Sequence, residues 1–355
     1  MPHPHYRRIV TDLRDTLGID APIVLGPFGG LSSIELTAAV SELGGLGSHG
    51  LYGYTPERIR DTIAALRERT ARPFAVNVWL TTGDEVAPAE VDLGPRIAEL
   101  APLFEELGLP LPNPPAAFLP ELEAQLEAVL DAAPAVLSVV YGVPDARFVE
   151  AARERGIRLI GTATTVAEAV ALDEAGVDAI VATGAEAAGH RVSFLAPAEE
   201  SLVGTFALVP QVVDAVRVPV IAAGGIADRR GVAAAFALGA SGVQVGTAFL
   251  RTEESAAPPS HRRAIAEATD TTTVLTRAMS GRLARGIPNR AMRMLEDAEV
   301  LPFPAQNWLS GQFRAEAGRR DIGDLVSLWA GQSAPLARRD TAAEVFAELL
   351  AGVPG

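Results

Sequence analysis

The chain has 355 residues, 48% of them hydrophobic, and a formal net charge of −14. That apolar content is too high for a disordered chain, and the acidic balance argues against nucleic-acid partners, which need a clustered basic surface. Cysteine is absent, and every position counted as Lys or Arg is arginine; disulfides, thiolate nucleophiles, sulfur-ligated metals and Schiff-base chemistry are thereby removed, leaving carboxylates, hydroxyls, histidines or a bound cofactor.

No run of eighteen apolar residues occurs, so no membrane-spanning helix is expected, and residues 1–8 show no apolar stretch of signal-peptide type. A cytoplasmic protein is the expectation. In chain order, β-type runs fall at 22–26, 45–48, 74–79, 136–140, 158–161, 179–182, 218–222 and 242–245. Amphipathic stretches at 33–43, 56–69, 146–155, 166–175 and 231–238 separate most of them. Alternation of this kind implies a parallel sheet, and eight such units over about 250 residues imply closure into a (β/α)8 TIM barrel. Gly-containing turns at 43–45, 175–177 and 238–240 end the helices, since glycine takes the left-handed C′ conformation without penalty.

Two regions break the rhythm. Residues 81–120 follow the third strand and carry a proline-rich run at 109–115, which rules out continuous helix or sheet. The segment starts at the face where such barrels place their chemistry; it reads either as a lid or pocket wall or as a plain loop. Residues 258–355 continue past the eighth strand with helices at 262–269 and 342–350. They are expected to form a C-terminal helical subdomain packed on a barrel of residues 1–257.

The strand at 218–222 runs into Gly224-Gly225, and the strand at 242–245 runs into Gly246-Thr247. Placed after the last two strands, these turns sit where TIM barrels bind phosphate, through backbone N–H groups that glycine leaves accessible. The plainer reading is a pair of tight turns. After the sixth strand comes Gly184-Ala185-Glu186-Ala187-Ala188-Gly189-His190-Arg191. Small residues there leave room for a flat ligand beside His190, whose imidazole ordinarily titrates near neutrality and can act as a base; a surface loop histidine is the alternative. His49, at the end of the second strand, is a candidate for a secondary pocket role. His261 reads as surface, and His3 and His5 as part of a frayed tail. No metal site is expected.

Four blocks carry a family resemblance: 22–30 with 38–47, 184–191, 219–226 with 246–247, and 329–333. In these the chain resembles the nitronate monooxygenases, formerly called 2-nitropropane dioxygenases. The resemblance implies a non-covalent FMN across the barrel mouth, its phosphate at Gly224, Gly225, Gly246 and Thr247 and its ring against Gly26, Pro27 and Phe28. It also implies Asn77 near the ring, further cofactor contacts from Gly184, Gly189 and Gln332, and His190 as catalytic base. The implied reaction is oxidation of alkyl nitronates, and of nitroalkanes once deprotonated, by O2 to a carbonyl compound and nitrite; a homodimer is compatible with it. Three departures bear on substrate scope: Ala188 stands where the family usually has glycine, Thr183 where glutamine is frequent, and Val192 where glycine is frequent. Two other readings stay open: an FMN-dependent NAD(P)H reductase of enoyl thioesters or quinones, which shares the Glu-to-Gly-His block, and a flavin- or phosphate-binding protein without turnover, for which a base at the pocket would be superfluous.

Overall fold

The computed structural model describes residues 12–355, so His3 and His5 lie outside the described residues. Eight strands, Ile23–Leu25, Gly47–Gly50, Phe74–Trp79, Val136–Val140, Arg158–Ala163, Ala179–Thr183, Val220–Ala223 and Gly242–Val245, form one parallel sheet in which the last pairs with the first. The seam between the first two strands is closed by a parallel bridge, Val24 to Leu46, with Leu25 N–H donating to the Leu46 carbonyl at 2.9 Å. The result is the expected (β/α)8 barrel.

Strand alternation divides the side chains into two layers. Outward residues such as Ile23, Leu25, Val76, Val78, Leu137 and Val139 pack in the layer shared with the helices. Inward residues Val24, Leu46, Ala75, Val136, Ile160, Val181 and Ile221 fill the barrel together with Leu13 and Leu17 of the helix Leu13–Leu17. Nearer the C-terminal ends of the strands the inward positions turn polar: Asn77, Ser138, Thr162, Thr183 and Gln244 line a cavity there. An apolar plug below and a polar floor above are what make one end of this barrel a site.

Local chemistry sets the helices as expected. In Pro56–Arg69 the Thr55 side chain accepts from Arg58 N–H, proline takes the first turn, and Ile59, Ile63 and Leu66 are buried on one face. Helix Val166–Ala175 ends at Gly176 with φ +85°.

Four longer helices lay outside the expected set: Leu122–Ala132, Thr205–Ala215, Arg290–Glu296 and Ala305–Arg319. The segment 81–120 is also more ordered than a loop, with short helices Gly94–Glu99 and Ala101–Glu106. Its Leu93, Ile97, Leu100, Leu103, Phe104 and Leu107 recur at helical spacing and bury against the core. None of its residues lines the main cavity; Thr81, Glu85, Leu119 and Pro120 line a small adjoining one of ≈ 50 Å³. The C-terminal residues carry strands as well as helices: Val274–Thr276 and Ala284–Gly286 pair with each other and with Gly189–His190 in a three-stranded antiparallel sheet. Strands of two or three residues have no periodicity to read.

Candidate active site

The cavity at the barrel mouth holds ≈ 390 Å³. Of the twelve residues expected at a site, ten line it: His190, Gly26, Pro27, Phe28, Asn77, Gly189, Gly224, Gly225, Gly246 and Thr247. Gly184 and Gln332 do not. Gly184 is packed beneath the floor, where an added Cβ would come within 2.4 Å of the Thr205 nitrogen. Gln332 reaches the site through its backbone, its N–H donating to the Glu186 carbonyl at 2.9 Å, while its neighbours Gly331 and Ser333 face the cavity.

The turns after the seventh and eighth strands have the form of a phosphate cradle. Gly224 and Gly225 take φ +98° and +73°, a region costly for other residues. Among the described residues, the N–H groups of Gly224, Gly225 and Gly246 donate to no protein acceptor. A Cβ at Gly225 would meet nothing nearer than Glu186 Cβ at 3.7 Å, so the space above it is open. The Thr247 hydroxyl oxygen accepts from Gly331 N–H at 3.0 Å, which leaves its own proton for a ligand.

Glu186 lines the cavity and also holds the structure together. Both its carboxylate oxygens accept from Thr205 N–H, at 3.0 and 2.9 Å, and one accepts from the Thr205 hydroxyl. It thus caps helix Thr205–Ala215, whose own N-cap residue is glycine. The loop carrying it is tied down further by Arg191, donating to the carbonyls of Gly184 and Thr183 at 2.7 and 3.0 Å, and by Arg285, donating to the Ala185 carbonyl. Ala188 does not need left-handed backbone; Gly189 takes it, with φ +72°. The Ala188 departure therefore costs no strain.

His190 stands against two indoles, edge-on to Trp79 at 4.9 Å and tilted against Trp329 at 5.4 Å. Its Nε2 lies 2.8 Å from Ser280 Oγ. The Ser280 hydroxyl donates to the Arg282 carbonyl at 3.1 Å, so it receives the imidazole bond and His190 carries its proton on Nε2. Nδ1, which bonds to nothing among the described residues, is left as the acceptor at the cavity. Burial, and then the charges of Arg282 and Arg314, push the His190 pKa down to about 3. The expected titration near neutrality is therefore replaced by an imidazole that stays neutral across the physiological range.

Two other histidines depart from expectation. His49 points outward from its strand, is 3% exposed and does not line the cavity; the alternation that turns Ser48 and Gly50 inward turns it away. His261 is fully buried, with Nε2 bonded to the Trp329 carbonyl at 2.9 Å. Burial lowers the pKa of both to about 4. Among the described residues no cluster of His, Asp or Glu could hold a metal, and no helix is long and apolar enough to cross a membrane.

Several wall residues escaped the sequence reading: Tyr52, Trp79, Asn307, Arg314 and Trp329 line the cavity. Trp79, Ser138, Thr162 and Gln244 had a usable signal, being inward by strand parity near strand ends. Asn307 and Arg314 had none, since only tertiary packing brings their helix to the barrel mouth.

A profile of the nitronate monooxygenase family matches residues 11–352. The chain belongs to that family. A probable nitronate monooxygenase of Staphylococcus aureus (strain JH9) is 38% identical over 341 residues, covering 95% of this chain and 96% of the relative. The crystal structure of nitroalkane oxidase from Streptomyces ansochromogenes superposes with a TM-score of 0.83 at 35% identity, over 96% of this chain and 98% of the other. The structure of FabK from Thermotoga maritima follows with 0.74 at 31%, over 95% and 94%. The chain is an oxidoreductase of the nitronate monooxygenase type.

Proposed function

We propose that this oxidoreductase binds FMN without a covalent link and oxidises alkyl nitronates with O2 to a carbonyl compound and nitrite. The observation that carries the reading is the presence of two features in one cavity: unpaired N–H donors at Gly224, Gly225 and Gly246, and the bare Nδ1 of His190. The donor set suits a phosphate dianion in a chain whose net charge would otherwise repel one, because oriented backbone dipoles do the binding. Gly26, Pro27 and Phe28 offer a flat apolar wall for the ring system. Asn77 donates its amide to Ser138 Oγ at 2.9 Å and to the Ser138 carbonyl, which fixes its oxygen toward other partners. Gly189 lets the loop turn beside the ring, while Gly184 and Gln332 support the wall from behind. When bound, the flavin supplies the electron acceptor that the protein's own side chains lack.

The rest falls to the chain. Trp79, Trp329 and the apolar wall keep water from the reacting carbon. His190 accepts the proton of a neutral nitroalkane at Nδ1 and holds its own on Nε2 against Ser280. Its lowered pKa makes that transfer costly, at about 1.4 kcal/mol per unit. Preformed nitronates, which need no deprotonation, are therefore the better substrates. The test is His190→Asn: flavin content should stay near wild type, neutral nitroalkane oxidation should fall about 10²–10⁴-fold, and nitronate oxidation should survive far better. Equal activity of mutant and wild type on neutral nitroalkanes would remove the base role.

A further inference from the structure

One wall of the cavity carries a positive charge that no carboxylate among the described residues balances. Arg282 is neutralised by Asp84 and Glu85, at 2.6 and 2.7 Å. Among the described residues Arg314 has only neutral partners: Ser327 Oγ at 2.6 Å, and the carbonyl and side-chain oxygens of Asn307 at 3.0 and 2.7 Å. Its Nε is buried with no partner among the described residues. Burial lowers its pKa to about 10, which still leaves it charged at neutral pH. A guanidinium offers donors alone, so the Asn307 amide oxygen must face it and the amide nitrogen must face away. That nitrogen donates to Tyr52 Oη at 2.9 Å. The Tyr52 oxygen is thus an acceptor toward Asn307, and its own proton has no acceptor among the described residues. Tyr52 lines the cavity and lies 4.4 Å from the Trp79 ring, which is in turn edge-on to His190.

We propose that Tyr52 donates its hydroxyl hydrogen bond to the oxygens of the substrate's nitro or nitronate group, with Asn307 and Arg314 as the positioning pair, so that the wall they form is a subsite for a small planar oxyanion. The proposal rests on the nitronate-oxidising reading of this cavity and names the group that receives the negative charge. For a neutral nitroalkane the Cα–H bond breaks, the proton goes to His190 Nδ1, and the bonding pair shifts through the C–N bond onto the nitro oxygens. There the Tyr52 hydroxyl and the field of Arg314 stabilise it. For a preformed nitronate the same groups bind a charge already present. Low local dielectric strengthens both effects, and no carboxylate among the described residues pairs with Arg314 to cancel them.

Nitrate has the shape and charge of the nitronate head and cannot be oxidised, so it reports the subsite without turnover. The flavin-loaded wild type, Y52F and N307D are titrated with sodium nitrate and followed by the flavin absorbance. Flavin content and ethyl nitronate turnover are measured alongside. Wild type should bind nitrate, and Y52F should bind it about 10- to 100-fold more weakly with flavin content unchanged. N307D should lose it as well, because the new carboxylate pairs with Arg314 and takes the Tyr52 proton. Equal nitrate affinity in wild type and Y52F would overturn the proposal, as would loss of flavin from Y52F, which would assign Tyr52 to the cofactor. Tyr52-dependent nitrate binding in a wild type that leaves ethyl nitronate unoxidised would uphold the subsite and sink the functional reading.

Discussion

Removing the hydroxyl of Ser280 should weaken proton abstraction while leaving cofactor binding alone. Ser280→Ala deletes the oxygen 2.8 Å from His190 Nε2. An imidazole N–H left unpaired in this wall costs about 1–3 kcal/mol. The ring can escape that cost by moving its proton to Nδ1, but then the nitrogen at the cavity is no longer an acceptor. Either way the reactive tautomer is disfavoured by that amount, which at about 1.4 kcal/mol per decade is roughly a 5- to 140-fold loss. The loss should fall on kcat/KM for neutral nitroethane, with ethyl nitronate turnover and flavin content near wild type, because only the neutral substrate needs the base. Ser280→Thr keeps the hydroxyl and should restore most of the activity. A Ser280→Ala enzyme with an unchanged ratio of nitroethane to nitronate activity would refute the tautomer argument.

Gly225→Ala should yield a folded but colourless protein: the added methyl has room within the chain, its φ of +73° costs only about 1–2 kcal/mol, yet the methyl stands where the phosphate must approach. Gly224→Ala should instead harm the fold, because its Cβ would lie 2.9 Å from Thr205 Oγ1 and 3.1 Å from the Gly184 carbonyl; far-UV circular dichroism and bound-flavin absorbance separate the two. His49 and His261 have pKa values near 4, below the ordinary 6.5 of the unfolded chain. The unfolded state therefore binds more protons below pH 6.5, and stability that is intact above that value drains away as pH falls toward 4. The loss should be on the order of 2 kcal/mol per histidine at pH 5; denaturant midpoints between pH 7 and 5 measure it, and His49→Gln with His261→Gln should remove their share of the slope and leave that of His190, whose pKa is lowered further, to about 3. Glu186→Ala should destabilise the protein by about 1–2 kcal/mol through loss of the cap on helix Thr205–Ala215, visible as a lower denaturation midpoint.

The barrel was readable because its strands are short apolar runs set between helices with ordinary caps; the expected 74–79, 136–140 and 242–245 match the observed strands in both bounds. The glycine turns and His190 were readable for a related reason, since each sits within a few residues of a strand end and needs no distant partner to be placed. What could not be read came from elsewhere in the chain. Ser280 meets His190 across ninety residues, through a sheet whose strands are two or three residues long. Arg314 and Asn307 reach the mouth on helix Ala305–Arg319, whose buried side makes it look like any packing helix. His261 reads as surface because it follows Pro258-Pro259 in a connecting stretch, yet helix Pro259–Glu267 turns it inward to the Trp329 carbonyl. The base strength of His190 was misjudged for the same reason: local sequence cannot show burial or two distant guanidinium charges.

The central claim is that this cavity couples nitronate oxidation to oxygen through bound FMN. The direct measurement is anaerobic mixing of the purified, flavin-loaded protein with ethyl nitronate, NADH and NADPH in parallel, each followed by flavin absorbance and then by nitrite release on admitting air. Bleaching by the nitronate, with nitrite appearing once oxygen enters, is the predicted result. A protein that takes up no FMN, or one whose flavin is bleached by a pyridine nucleotide and left untouched by the nitronate, would contradict it.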